Sequence, residues 1–162
     1  MNRFKHTRWL MRPPILLLVC ILLTNSCTDH QIPQPNFNLD VTLLGTGNAS
    51  GFVKFRQFPE KPFTINLGTS IQGLEPNTNY VLQRAVDTNL DGNCTSTTWL
   101  TLGKGLVAQA ILTDNVGAGT ADLFRDISAF PAGTTFDIHF QIVNQQTSAV
   151  VLTSNCYQYT VR

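Results

Sequence analysis

Between residues 87 and 93 the chain reads Asp87-Thr88-Asn89-Leu90-Asp91-Gly92-Asn93. Oxygen-bearing side chains at every second position, followed by a glycine that permits a sharp reversal, can gather around one hard cation, and calcium is the ion such oxygens suit. In that arrangement Asp87, Asn89 and Asp91 supply side-chain oxygens, Asn93 a backbone carbonyl and Thr95 a hydroxyl or a water contact. The same residue types build tight hairpin turns, so a plain connection between strands is the competing account. Few other residues offer chemistry. His30 and His139 are the only histidines beyond the N-terminal segment, too few for a transition-metal cluster. His139 alternates with Asp137 and Gln141 on what reads as the polar face of a strand, which implies a surface histidine. No serine or threonine stands in a Gly-x-Ser-x-Gly elbow. The glycine-rich stretch 45–51 lacks the lysine and the following helix of a phosphate loop and reads as a turn. Asp122, Asp126 and Asp137 could serve as acid and base only if the fold gathers them.

The run at Asp87 resembles the first half of an EF-hand-type calcium loop. It departs from that family at the twelfth position, where Thr98 replaces the bidentate glutamate, and its flanks read as strands rather than helices. The resemblance therefore implies weak binding, of the kind found in extracellular modules, unless Asp114, Asp122 or Asp126 completes the shell.

The N-terminus specifies an address. Arg3, Lys5, Arg8 and Arg12 precede an apolar run from Ile15 to Leu23, followed by Thr24-Asn25-Ser26-Cys27. A basic segment, a short apolar stretch and small residues are the parts of a secretory signal, and the run is shorter than the roughly 20 residues that span a bilayer. Ser26-Cys27 resembles the end of a bacterial lipobox, although Thr24 stands where that family usually has leucine. The resemblance implies cleavage before Cys27 and lipidation of its thiol. The expected organisation is an export signal at 1–26, a polar, proline-bearing tether at 27–38 and one domain at 39–162. Loss of the signal removes four of the 11 Lys and Arg and none of the 10 Asp and Glu, leaving a net negative domain. Such a domain lacks the basic footprint that nucleic acid requires. Cys20 leaves with the signal and Cys27 carries the anchor, so Cys94 and Cys156 remain, and in an oxidising compartment two leftover cysteines imply a disulfide.

The elements that must position these residues are short and β-rich. Period-two alternation is plain at 63–67 and at 136–142, where Phe136, Ile138, Phe140 and Ile142 should face inward. Further strands are expected at 39–44, 51–58, 79–86, 97–102, 106–112, 120–126 and 150–161, with a short helix admissible near 125–129. Turn-forming Gly, Asn, Asp and Pro separate them. This spacing implies an all-β domain, an antiparallel two-sheet sandwich. Leu74-Glu75-Pro76-Asn77-Thr78-Asn79-Tyr80 resembles the tyrosine corner of fibronectin type III and other immunoglobulin-like sandwiches. That likeness implies a buried Tyr80 whose hydroxyl bonds back to the preceding backbone.

The sequence thus implies an exported protein of a bacterial cell envelope or outer membrane, held through a lipid on Cys27. A non-enzymatic binding or structural role toward a protein or glycan ligand is expected, without nucleic acid. The alternatives are a calcium-stabilised adhesion or carbohydrate-binding domain, and a hydrolase using carboxylates gathered by the fold. Trp99 is a candidate for an exposed binding patch, against the commoner burial of a strand tryptophan.

Overall fold

The computed structural model describes residues 38–162; the expected export signal, Cys27 and the expected tether up to residue 37 lie outside the described residues. β-Branched and aromatic residues at period two, interrupted by turn formers, give twelve strands. In chain order they are β1 Asn38–Leu44, β2 Ser50–Gln57, β3 Thr64–Gln72, β4 Asn79–Asp87, β5 Leu100–Thr101, β6 Gly103–Lys104, β7 Val107–Ala108, β8 Ala110–Leu112, β9 Gly119–Asp126, β10 Thr135–Asn144, β11 Val150–Ser154 and β12 Tyr157–Thr160.

All twelve belong to one hydrogen-bonded sheet, curled nearly into a barrel. Strands β1, β2, β3 and β9 pair antiparallel along their lengths. β10 pairs with β4 on one edge and with β11 and β12 on the other. Two thin seams join these groups. At the first, β11 meets β1 through Leu43 and Leu44. At the second, residues 100–104 bond β4 with their first half, through Leu100, Thr101 and Leu102, and β9 with their second, where Lys104 pairs parallel with Phe124.

Several expected elements are altered. The strand expected at 97–102 shortens to β5, with β6 just beyond it, and the one at 106–112 divides into β7 and β8. The run 150–161 breaks at Asn155 and Cys156, so β11 and β12 bond different stretches of β10. No helix forms at 125–129: β9 continues through Asp126, and the chain then turns with Phe130 N–H donating to the Ile127 carbonyl.

The inner face carries the core. Phe55 of β2 meets Phe140 of β10 edge-on at 6.1 Å and Tyr159 of β12 at 4.7 Å, and such pairs add about 0.5–1.5 kcal/mol each beyond area burial. Tyr80 is buried, and Glu75 N–H donates to its hydroxyl at 3.1 Å. The adjoining turn at 114–118 packs on this corner. Gly117 has φ +79° there, and a Cβ would sit 2.0 Å from the Leu74 carbonyl oxygen, so only glycine fits. Asp114 fixes that turn by accepting from the Ala118 and Val116 amides, which hold its carboxyl below the usual range.

One end of the barrel hangs on Gln57, 1% exposed. Its Oε1 accepts from the Tyr159 hydroxyl at 2.9 Å and the Arg162 amide at 2.7 Å, while its Nε2 donates to the Pro62 carbonyl. Burial pushes the Tyr159 phenol up, so it stays a donor. Gln57→Leu strands three groups and should cost about 2–5 kcal/mol in urea unfolding, against about 1 kcal/mol for Tyr159→Phe, which strands only part of one.

Candidate functional site

The outer face of β10 is covered rather than solvated. Asp137 is fully buried and Gln141 is 7% exposed, which corrects the expectation of a solvent-facing polar strand. The cover is the loop 88–99, which crosses this face and is fastened by the Cys94–Cys156 disulfide, with a Cα–Cα distance of 5.3 Å. Residues in the loop reach the strand in sequence. Gly92 N–H donates to Asp137 Oδ2 at 2.8 Å, and the Ser96 carbonyl lies 3.1 Å from His139 Nε2, which must carry the hydrogen because a carbonyl only accepts. Trp99, half-buried, lies on the His139 ring at 4.6 Å. Gln141 Nε2 donates to Gln83 Oε1, and Gln83 Nε2 donates in turn to the Thr101 hydroxyl.

The oxygens of the Asp87 motif are directed into the loop itself. Asp87 accepts from the amides of Thr95 and Ser96 and from the Thr95 hydroxyl, at 3.1–3.2 Å. Asp91 accepts from the Asn93 amide and from Asn89 Nδ2. Gly92 supplies the left-handed residue, φ +75°, that lets the chain double back. The loop therefore closes on its own hydrogen bonds, and among the described residues no group of three His, Cys, Asp or Glu side chains is placed to hold a metal ion. Sequence reasoning missed one partner: Asp137 stands directly across the β4–β10 ladder from Asp87. Its second oxygen, Oδ1, is buried with no hydrogen-bond partner. Asp122 and Asp126 sit exposed on β9, where the Ser128 hydroxyl and amide bond Asp126 and hold its carboxyl below the usual range. The fold does not bring these two to Asp137, because they lie on the exposed side of β9 while Asp137 is sealed beneath the loop on β10.

A second feature lies inside. The inner face holds a partly open cavity of ≈ 30 Å³ lined by apolar atoms of Phe55, Phe130, Phe136, Phe140 and Tyr159, of several aliphatic side chains and of two arginines, Arg84 and Arg125. Both point inward by register. Arg84 is opposite Phe140 on β10, and Arg125 is opposite Ile65 on β3. Burial and the nearby charge of Arg125 both lower the Arg84 guanidinium from its ordinary value. Period two could have found them, since Arg84 shares parity with Tyr80 and Leu82, and Arg125 with Leu123 and Ile127.

No protein-family model and no curated protein sequence matches the chain. The outer face is a closed polar assembly whose hydrogen bonds hold a loop, and the inner cavity is a small space lined by apolar atoms.

Reduction, or replacement of both Cys94 and Cys156 by alanine, should release loop 88–99 and cost about 2–5 kcal/mol. Thermal melts with and without reductant measure the loss, and amide exchange should rise first at Gly92, Thr95 and Ser96. Unchanged exchange at those amides would mean that the carboxylates alone hold the loop.

Proposed function

We propose that the chain is an exported, lipid-anchored module of a bacterial cell envelope, with an immunoglobulin-like β-sandwich that serves as a non-enzymatic binding or structural unit. The observation that carries this reading is the joining of Cys94 to Cys156. Disulfides persist in oxidising compartments, and these are the only cysteines after position 27. An export signal ending in Ser26-Cys27 and a polar tether agree with that address. The sandwich description is supported by two groups of antiparallel strands that meet only at narrow seams, and by the buried Tyr80 whose hydroxyl accepts from the Glu75 amide, as the corner of such folds does. The membrane is met through the lipid, and a protein or glycan ligand would be met by the domain.

The non-enzymatic role is supported by how the polar groups are used. His139, Asp87 and Gln141 are engaged in holding the loop and its strand, and Asp137 is sealed beneath it. A hydrolase built on Asp122, Asp126 and Asp137 would need two exposed carboxylates and a buried one to act from unpaired strands.

Mass spectrometry of the mature N-terminus tests the address: the expected species begins at a diacylated Cys27, and Cys27→Ser should release or misprocess the protein while leaving its melting temperature unchanged. A mature chain beginning elsewhere without lipid removes the anchor from this reading.

One observation favours calcium as a second reading. Asp137, whose Oδ1 is buried without a partner, stands across the ladder from Asp87, and its other oxygen accepts from the Gly92 amide next to Asp91. If an ion meets Oδ1, millimolar calcium should raise the melting temperature of the parent and leave Asp137→Asn unmoved. A hundredfold excess over Kd corresponds to about 2.7 kcal/mol. Parent melts identical in calcium and in chelator would reduce residues 87–93 to a turn.

A further inference from the structure

Apolar residues scattered singly over a surface are ordinary, but several gathered in one place mark a surface that meets something. One rim of the barrel carries such a group. β1 begins there at Asn38, β2 ends at Gln57, β3 begins at Thr64 and β9 ends at Asp126. The turn between β2 and β3 exposes Phe58 by 45% and Phe63 by 60%, and the turn after β9 exposes Phe130 by 40%. The two turns adjoin: Ile127 N–H donates to the Phe63 carbonyl at 2.9 Å, and Phe130 N–H donates to the Ile127 carbonyl at 2.9 Å. Turn tips ordinarily carry Gly, Asn, Asp, Pro or Ser, so three phenylalanines here are not what the turns themselves require.

The rim is held firmly from within. Gln57 Nε2 donates to the Pro62 carbonyl at 2.6 Å, Lys61 N–H donates to the Phe58 carbonyl at 3.1 Å, and Thr64 N–H donates to the Lys61 carbonyl at 3.0 Å. Phe130 keeps an edge-on contact with Phe136 at 6.0 Å. Apolar groups already fixed in place lose little conformational freedom when they dock, so their burial is not offset by ordering.

What covers the rim follows from where the chain enters the domain. Asn38 pairs with Arg56, and its Oδ1 accepts from the Gln57 amide at 3.3 Å, one residue before Phe58. Ten residues, 28–37, separate this entry from Cys27. A chain of that length reaches about 35 Å at full extension. β10, itself ten residues long, measures about 33 Å along its axis. Seating the opposite rim on a membrane that holds Cys27 would draw the tether toward full extension, whereas seating the phenylalanine rim leaves it slack. Aromatic and apolar side chains on an otherwise polar surface are also what the boundary between lipid head groups and acyl chains accepts.

We infer that this rim rests on the surface of the bilayer, with Phe58, Phe63 and Phe130 entering the boundary between head groups and acyl chains. The inference goes beyond the proposed function and rests on its lipid anchor at Cys27. It turns the opposite rim, with the Tyr80 corner and the turn at 114–118, away from the membrane.

The test is tryptophan fluorescence of the full chain reconstituted in phosphatidylcholine vesicles with brominated acyl chains, which quench only at short range, after subtraction of the parent's signal. Phe63→Trp should be quenched roughly threefold more strongly than Val116→Trp, which reports from the exposed turn at the opposite rim. Adding Phe58→Ser to Phe63→Trp should lower that quenching about twofold, because part of the apolar contact is lost. Flotation with the vesicles and the mass of the N-terminus report the anchor separately. Equal quenching of the two tryptophan variants in protein that floats overturns the docking and leaves the anchor standing. Quenching of Phe63→Trp that Phe58→Ser does not change also overturns it, since the tether alone would then hold the rim near the lipid. Quenching that falls as the ratio of protein to lipid rises assigns the rim to a second copy of the chain instead. A chain that carries no lipid and does not float removes the anchor and the docking together.

Discussion

An open sheet edge carries unpaired N–H and C=O groups, and a domain must cover it, charge it or bond it to something. In this chain the outer edges of β4 and β9 are served by the same short segment, residues 100–104, which gives its first hydrogen bonds to one strand and its last to the other. That bridging turns a long ribbon into a nearly closed one. It requires a tight hairpin immediately afterwards, and a Cβ at Gly103 would fall 1.9 Å from the Val107 carbonyl oxygen. Once the bridge is made, the inner faces of β4, of the bridge and of β9 become one wall. Arg84, Leu102 and Arg125 are neighbours for that reason alone.

The outer face of β10 follows a different logic. Polar residues at every second position normally face water, but here a long irregular loop lies over them, and every polar group it covers needs a partner. Asp87, Asp137 and His139 meet that need by taking backbone groups of the loop, and the disulfide fixes the span between them. The oxygen spacing that resembles an ion loop is equally good at capturing amides. Carboxylates that accept amide N–H groups gain charge-assisted hydrogen bonds without a metal. The residual oxygen of Asp137 is the place where this accounting stays open.

The two faces differ in what their charged groups contribute. Those under the loop are hydrogen-bonded and add order, so they are consistent with the fold at every level. The inward arginines break the binary pattern of otherwise regular strands and add repulsion.

How much was legible follows from the range of each interaction. Strand positions, the buried Tyr80 corner, the inward set Ile138, Phe140 and Ile142, and the pairing of Cys94 with Cys156 were open to the sequence, because alternation and turn chemistry are local and two cysteines admit one pairing. Alternation puts Asp137 on the polar face of its strand, but it says nothing of what lies over that face, so the burial of Asp137 is not legible from it. The break of the last strand at Asn155 and Cys156 falls at the disulfide, and the closure at 100–104 uses a parallel pairing with β9, both contacts between distant parts of the chain. Only the tertiary structure could set Arg84 beside Arg125, since their strands are not paired with each other and meet through a segment whose own sequence carries no charge but Lys104. The sequence by itself determined the class of fold and the covalent staple; the closing of the sheet decided which charges share a wall, because that depends on which edges are left to be bonded.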